Sequence, residues 1–216
     1  TPTEPAEEGK TTIKVLSKDD CKTYEEGSGG NTSPTAASTI LATAQEAGQL
    51  NQIPDTNIYI FKGGDPANYV KFNNEDWRII GIYGDQLKIQ RVEAPTGLTS
   101  IAYNTTTPNP GWANSSLKSY LNETYYGTLS SDAQNMIDAN GSWNVGAVAD
   151  TATASQAYTS ATTTITVGIT THETPWTGKV GLMATYEFLY ASSGSGCDSV
   201  VGNYGSFNTM CGTVTY

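Results

Sequence analysis

Asn57–Val92 reads NIYIFKGGDPANYVKFNNEDWRIIGIYGDQLKIQRV, and this stretch decides the fold class. Short apolar-rich runs, Ile58–Phe61, Tyr69–Phe72, Trp77–Tyr83 and Leu87–Val92, are separated by turn residues. Gly84-Asp85 between the last two is a two-residue hairpin signal. Leu87, Ile89 and Arg91 alternate with Gln86, Lys88 and Gln90, which predicts a strand with one apolar and one wet face. Trp77–Ile82 is more continuously apolar and predicts a strand buried on both sides. The runs together predict an antiparallel meander.

Outward from this core, the segment 1–33 reads as an arm. Thr1–Lys10, TPTEPAEEGK, is a polar, acidic tether, as a secreted chain without its signal would begin. Thr12–Leu16, TIKVL, alternates, and Ile13 and Val15 share a face as a candidate assembly strand. It serves either as an edge strand or as a strand donated to a neighbouring subunit. Glu25–Ser33, EEGSGGNTS, is flexible by composition. Residues 34–216 are expected to form a single globular domain. Ser33 as N-cap and Pro34 at the first position predict a helix to Ala47, ended by Gly48. Ser115 or Ser116 caps another, with Leu117, Tyr120 and Leu121 as its buried stripe. Ser131-Asp132 opens a third, through Met136 and Ile137. Trp143–Gly146 is extended, ATTTITV at 161–167 reads as a strand, and so does Trp176–Met183. Thr185–Ala191 is a short helix or turn packed by Phe188 and Leu189. Thr213–Tyr216 is β-like, as if the domain were continued there or completed by another chain.

Composition narrows the function. The 216 residues carry a net charge of −10, with 15% charged and 37% hydrophobic residues. Thr, Ser, Asn and Gly fill the remainder, which fits an extracellular β-rich surface. Eleven scattered Lys and Arg give no basic patch, so nucleic acid is not expected as a partner and an anionic membrane surface is disfavoured. No run of about 18 apolar residues predicts a membrane-spanning segment. A Cys197–Cys211 disulfide would close a loop of about 15 residues, worth about 3 kcal/mol in the chain-entropy model. Cys21 is left over, either buried, paired elsewhere or bridging to another chain.

Chemical motifs are sparse. His172 is the single histidine, in a loop-like THETP, with no nucleophile motif beside it. One His and three dispersed Cys do not make a transition-metal site. Calcium needs only Asp, Asn and carbonyl oxygens; Asn73–Asp76 is the candidate, with a polar hairpin turn as the alternative. No cofactor is expected. Glu187 in ATYEFLY is the acid closest to an apolar run, and a helix-surface position is expected for it. Trp112, Tyr125, Tyr126 and Tyr204 are the candidate ligand-binding aromatics, since such rings stack on sugars, although they also cap cores. Sequons at Asn31, Asn104, Asn114, Asn122 and Asn140 fit a secreted surface.

Four runs carry a resemblance: Tyr69–Gly81, Trp112–Asn122 (WANSSLKSYLN), Trp143–Gly146 (WNVG) and Trp176–Met183 (WTGKVGLM). In this order they resemble a large uncharacterised group of bacterial surface proteins, which is distantly similar to the C-type-lectin-like fold of formylglycine-generating enzymes. The resemblance implies an α+β domain, short helices packed on twisted antiparallel sheets, at the cell surface. The calcium–sugar Glu-Pro-Asn motif of lectins and the cysteine pair of the enzymes are absent. A terminal Cys197–Cys211 loop is also similar to that of type IV pilins, whose hydrophobic N-terminal helix is missing here. The expectation is a non-enzymatic structural or adhesive subunit, of a pilus-like filament assembled through the arm, with itself or another surface protein as partner. The alternative is a monomeric lectin-like module that binds glycans or proteins.

Overall fold

The computed structural model describes residues 12–16, 21–25, 35–93, 101–105, 111–148 and 152–192, the first two segments as backbone only. It is a mixture of short helices and antiparallel sheets. The chain divides into two compact units, the first ending at Val92 and the second beginning at Glu93.

The first unit is built on a seven-stranded antiparallel sheet. Its strands are β1 (Thr12–Leu16), β2 (Cys21–Glu25), β3 (Leu50–Gln52), β4 (Ile58–Phe61), β5 (Tyr69–Phe72), β6 (Glu75–Tyr83) and β7 (Gln86–Arg91). The order is β2-β1-β5-β6-β4-β3, with β7 on the other edge of β6. The four core runs are therefore strands with nearly the expected bounds, but they do not form a serial meander. β5 pairs with the first half of β6 (Val70↔Trp77) and β4 with its second half (Ile60↔Gly81). Both use the same edge, because β7 occupies the opposite one along Trp77–Tyr83.

Local turn chemistry explains the hairpins. Gly84 has φ +65 at the first central position between β6 and β7, as a type II′ turn needs. Asn73 and Asn74 both have positive φ, 51 and 60, which is the type I′ pattern between β5 and β6. Opposite β7, a bulge at Ile80 shifts the register between Ile79 and Gly81. Trp77, Arg78, Ile79, Ile80, Gly81 and Ile82 are all buried, as the apolar run predicted. Leu87 to Arg91 are instead half-buried on both faces, so β7 lacks the clean alternation expected of it. Ile53, Ile60, Phe61, Ile79, Ile80 and Ile82 are at most 1% exposed and make the core, each worth roughly 1.5–3 kcal/mol. Phe72 and Trp77 meet edge to face with centroids 5.1 Å apart.

Helix α1 spans Ala36–Glu46 and buries Ala37, Ile40 and Ala44 along one stripe. Thr35, not Ser33, is the N-cap, and its Oγ1 accepts from Ser38 N–H at 3.1 Å. Thr35 still has extended backbone, so the helix starts two residues beyond the expected Pro34; Ser33 and Pro34 lie outside the described residues. At the other end Gly48 has φ +67. Its N–H donates to Gln45 O and that of Gln49 to Ala44 O, a Schellman closure.

The second unit holds α2 (Ser116–Ser119), which runs on as a π-helical turn, Tyr120–Tyr125, and a 3₁₀ turn, Tyr126–Thr128. It continues with α3 (Ser131–Met136), β8 (Ser142–Trp143), α4 (Ala154–Ala161), β9 (Ile165–Val167), β10 (Thr170–His172), β11 (Trp176–Thr177) and α5 (Thr185–Tyr190). β9–β10 and β8–β11 are separate two-stranded antiparallel sheets. Several expectations are corrected here. Ser115 caps α2, but Leu117, Tyr120 and Leu121 are only half-buried. The π turn shifts the angular phase and buries Tyr125 at its end, while Ser115 at the N-cap and Leu129 after the 3₁₀ turn are buried as well. α3 opens at Ser131 as expected, with Ser130 as its N-cap, but ends at Met136, since Ile137 is already extended. Trp176–Met183 is a strand only over its first two residues. α4 falls where no helix was expected. Its signal was Thr153-x-x-Gln156, a capping box with both bonds formed, ahead of Ala154, Ala157 and Ala161 at helical spacing.

β1 and β2 form a hairpin, and β1 adds to β5 of its own chain through Val15↔Val70 and Leu16↔Tyr69. The 33/34 boundary therefore falls inside the first unit.

Candidate functional site

The resemblance-bearing motifs of the second unit converge on one knot, and Asn122 ties it. Asn122 Oδ1 accepts from Lys179 N–H at 3.1 Å and Val180 N–H at 3.0 Å. Its Nδ2 donates to Val180 O at 2.8 Å and to Lys118 O at 3.0 Å. One side chain thus pairs the N–H of Lys179 and both backbone groups of Val180, which belong to no sheet or helix, in place of a strand partner.

Three tryptophans pack around this clamp. Trp143 and Trp176 face each other across β8–β11. Trp143 Nε1 donates to Gly178 O at 2.8 Å. Trp112 meets Trp176 edge to face, 5.6 Å between centroids. The glycines of the motif are required by these rings. A Cβ at Gly178 would come within 2.0 Å of the Trp176 ring, and one at Gly181 within 2.3 Å of the Trp143 ring. The Gly of WNVG has a similar reason. Gly146 N–H donates to Ala161 O at the end of α4, and a Cβ there would stand 2.4 Å from Ser160 O. Thr174 Oγ1 joins the same place, donating to Ala161 O at 2.8 Å and accepting from Val145 N–H at 3.1 Å.

The candidate aromatics are placed as follows. Trp112 and Tyr125 are buried, 5% and 8% exposed, so they cap a core. Tyr126 is half-buried, with Lys179 Nζ 4.0 Å from its ring centroid. Tyr204, Cys197 and Cys211 lie outside the described residues, as do the side chains of Ile13, Val15 and Cys21. Of the sequons, Asn122 and Asn104 use their amides within the chain; Asn104 Oδ1 accepts from Ser116 Oγ at 2.9 Å. Asn114 and Asn140 are exposed.

The titratable groups have structural partners. Asn73–Asp76, the calcium candidate, is the β5–β6 turn and the start of β6. Asp76 pairs with Lys71 at 2.6 Å, and Arg91 Nη2 lies 2.9 Å from Glu75 Oε2, an ion pair by distance though off the hydrogen-bond direction. Among the described residues no three His, Cys, Asp or Glu are placed to hold a metal ion. Glu187 is fully buried rather than on the helix surface. The first turn of α5 turns it inward, where its Oε2 accepts from Ala184 N–H at 2.6 Å and caps that helix. His172 is in β10, opposite Ile165, and not in a loop. Tyr103 has its pKa raised above 10.0 by burial, partly offset by a hydrogen bond from Ser115.

The first unit has its own buried polar centre, which the sequence reading missed. Asn68, 0% exposed, fills the gap between β5 and β4 on the edge of β6. Its O accepts from Ile79 N–H at 2.7 Å, and its Nδ2 donates to Ile79 O at 2.7 Å. Arg78, 3% exposed, donates from Nε to Asn68 Oδ1 at 3.2 Å, reaches Asp65 at 3.4 Å and stacks 4.3 Å from the Tyr69 centroid. A shallow, open, polar depression of about 610 Å³ lies at the β3–β4 turn, lined by Gln52, Pro54, Asp55, Thr56 and Asn57.

Among the described residues, no helix is long and apolar enough to cross a membrane. The molecule is thus defined as a chain of short helices and antiparallel sheets whose tryptophan- and glycine-bearing motifs serve packing. Compared with protein-family models, curated proteins and solved structures, the chain matches none.

Proposed function

We propose that this chain is a non-enzymatic extracellular surface protein, structural or adhesive, whose N-terminal hairpin is its assembly element. The domain is of the C-type-lectin-like kind, and the partner is a second copy or another surface protein. One observation carries the reading: β1 completes the outer edge of β5 over just two register pairs. Nine residues rich in Gly and Ser, 26–34, connect that hairpin to the rest. A short ladder on a nine-residue connection can be filled by the chain's own hairpin or a neighbour's in the same register, which is the geometry of strand exchange. Without it, β5 presents an open edge, the usual template for pairing between chains.

Other features support the surface role. The second unit faces solvent with Thr and Ser along α4, β9 and β10, a polar but weakly charged covering. The buried acid among the described residues, Glu187, is tied into packing at a helix cap. The lectin-like alternative needs exposed rings, whereas Trp112 and Tyr125 are buried.

The test is negative-stain microscopy with light scattering on the full chain and on a variant lacking Thr1–Leu16. Filaments or oligomers that disappear on deletion are expected. Identical size distributions for both would overturn the role of the arm, and a monomer in both cases would turn attention to binding on a glycan array.

A further inference from the structure

The second unit carries a strand edge with no partner among its described residues. β9 pairs only with β10 among the described residues. The two-residue turn Gly168-Ile169 joins them, with Gly168 at φ +62. Residues flanking such a turn exchange their hydrogen bonds, so Ile165 and Val167 use their backbone groups toward β10. The N–H and C=O of Thr166 consequently point away, along the outer edge of β9. Side-chain exposure marks the same place. Ile165 is 36% exposed, Val167 57% and Ile169 89%. The first two lie on one face, and Thr166 lies on the other, where its hydroxyl sits 3.1 Å from that of Thr171.

Natural edges are blunted by Lys, Pro, bulges or covering elements. Among the described residues this one has none of them. No charged side chain occurs from Thr151 to Thr171, in a molecule of net charge −10. The absence of charge selects the occupant. A second copy repels the first over most of its surface, and the charge-free hairpin is where two copies meet without opposing carboxylates.

We infer that β9 is a self-association edge, pairing antiparallel with β9 of a second copy about a two-fold axis at Thr166. The pairing is self-complementary. Thr166 meets Thr166, each exchanging its outward N–H and C=O, and Ile165 meets Val167 in both directions. The product is a four-stranded sheet, β10-β9-β9-β10, with a row of four apolar side chains on one face and threonines on the other. A register slip by one residue would oppose Ile165 to Thr166 and send apolar and polar rows to opposite faces, so the pairing has a single preferred alignment. The contact is small, below the roughly 1,000 Å² of a stable interface, so it forms a weak dimer by itself and gains strength where copies are already linked. The inference stands apart from the arm, since it involves no residue of the first unit.

The test uses the full chain and two variants. T166P removes the outward N–H at a position where an edge strand tolerates proline. T166C places two thiols on an antiparallel hydrogen-bonded pair, whose Cα atoms stand about 5.5 Å apart, within disulfide range. Sedimentation over rising concentration is expected to show a wild-type dimer, and at least about tenfold weaker dimerisation in T166P. Mild oxidation of T166C is expected to give a covalent dimer whose digest contains the 166–166 linked peptide. A wild-type chain monomeric throughout, or T166P dimerising like wild type, would overturn the inference. So would a T166C dimer linked only through Cys21, Cys197 or Cys211, and this readout decides the matter should T166P fail to fold. Arm-dependent oligomers that survive T166P leave the arm reading intact while refuting this one.

Discussion

Replacing Asn122 by Ala tests whether the second unit hangs on this clamp. The variant loses four hydrogen bonds, three of them to the backbone of Lys179 and Val180. A typical bond of this kind contributes about 1 kcal/mol net, and a buried group left without a partner costs about 1–3 kcal/mol. Asn122 is half-buried, so water replaces part of what is lost, chiefly at Lys118 O. The expected destabilisation is then about 3 kcal/mol, the sum over the three contacts to 179–180. Urea unfolding followed by tryptophan fluorescence is the assay, because Trp112, Trp143 and Trp176 surround the clamp. The midpoint should fall at unchanged slope. Asn122→Asp keeps the acceptor for Lys179 and Val180 N–H but turns an oxygen toward the Val180 and Lys118 carbonyls. It should cost about 2 kcal/mol or more for the same reason. Amide exchange gives the local readout: the Lys179 and Val180 N–H groups should lose protection ahead of the strands of the first unit. A loss below about 0.5 kcal/mol in both variants, the range of an ordinary surface substitution, would refute the clamp.

Two further outcomes are expected. Asn68→Ala should destabilise the first unit by about 2–4 kcal/mol in the same assay, since it strands the Ile79 carbonyl and the Arg78 Nε in a dry place. Tyr103 contributes a pH dependence. Its folded pKa lies above the unfolded value of 10.0 because burial disfavours the phenolate. The folded chain keeps a proton that the unfolded chain releases, so its share of stability is whole below pH 10.0 and is lost as pH rises through the folded pKa. Urea midpoints measured near neutrality and above pH 10.0 should therefore fall more steeply in wild type than in Tyr103→Phe; parallel falls would refute the burial.

What could be read from the sequence was what is local. The β5–β6 and β6–β7 hairpins close over two residues, so Asn73-Asn74 and Gly84-Asp85 carry their own instructions, and strand bounds followed within a residue or two. The arrangement of β4 and β5 end to end on one edge was not legible, because it depends on Asn68 reaching Ile79, which no periodicity encodes. Asn122 was quoted within a motif, yet its partners stand 57 and 58 residues away. Glu187 was misplaced because the inward turn of its helix depends on the cap at Ala184 and not on its apolar neighbours. α4 is hidden in an Ala- and Thr-rich composition, and only the capping box of Thr153 and Gln156 marks its start. These cases bear on how the motifs of this chain are to be used. WNVG and WTGKVGLM look like a functional signature, but their glycines make room for Trp176, Trp143 and the end of α4. They therefore argue for a fold. Function has to be sought where packing does not already use the residue, and here that means strand edges: the outer side of β5, closed by two pairs from the arm, and β9, closed by nothing described.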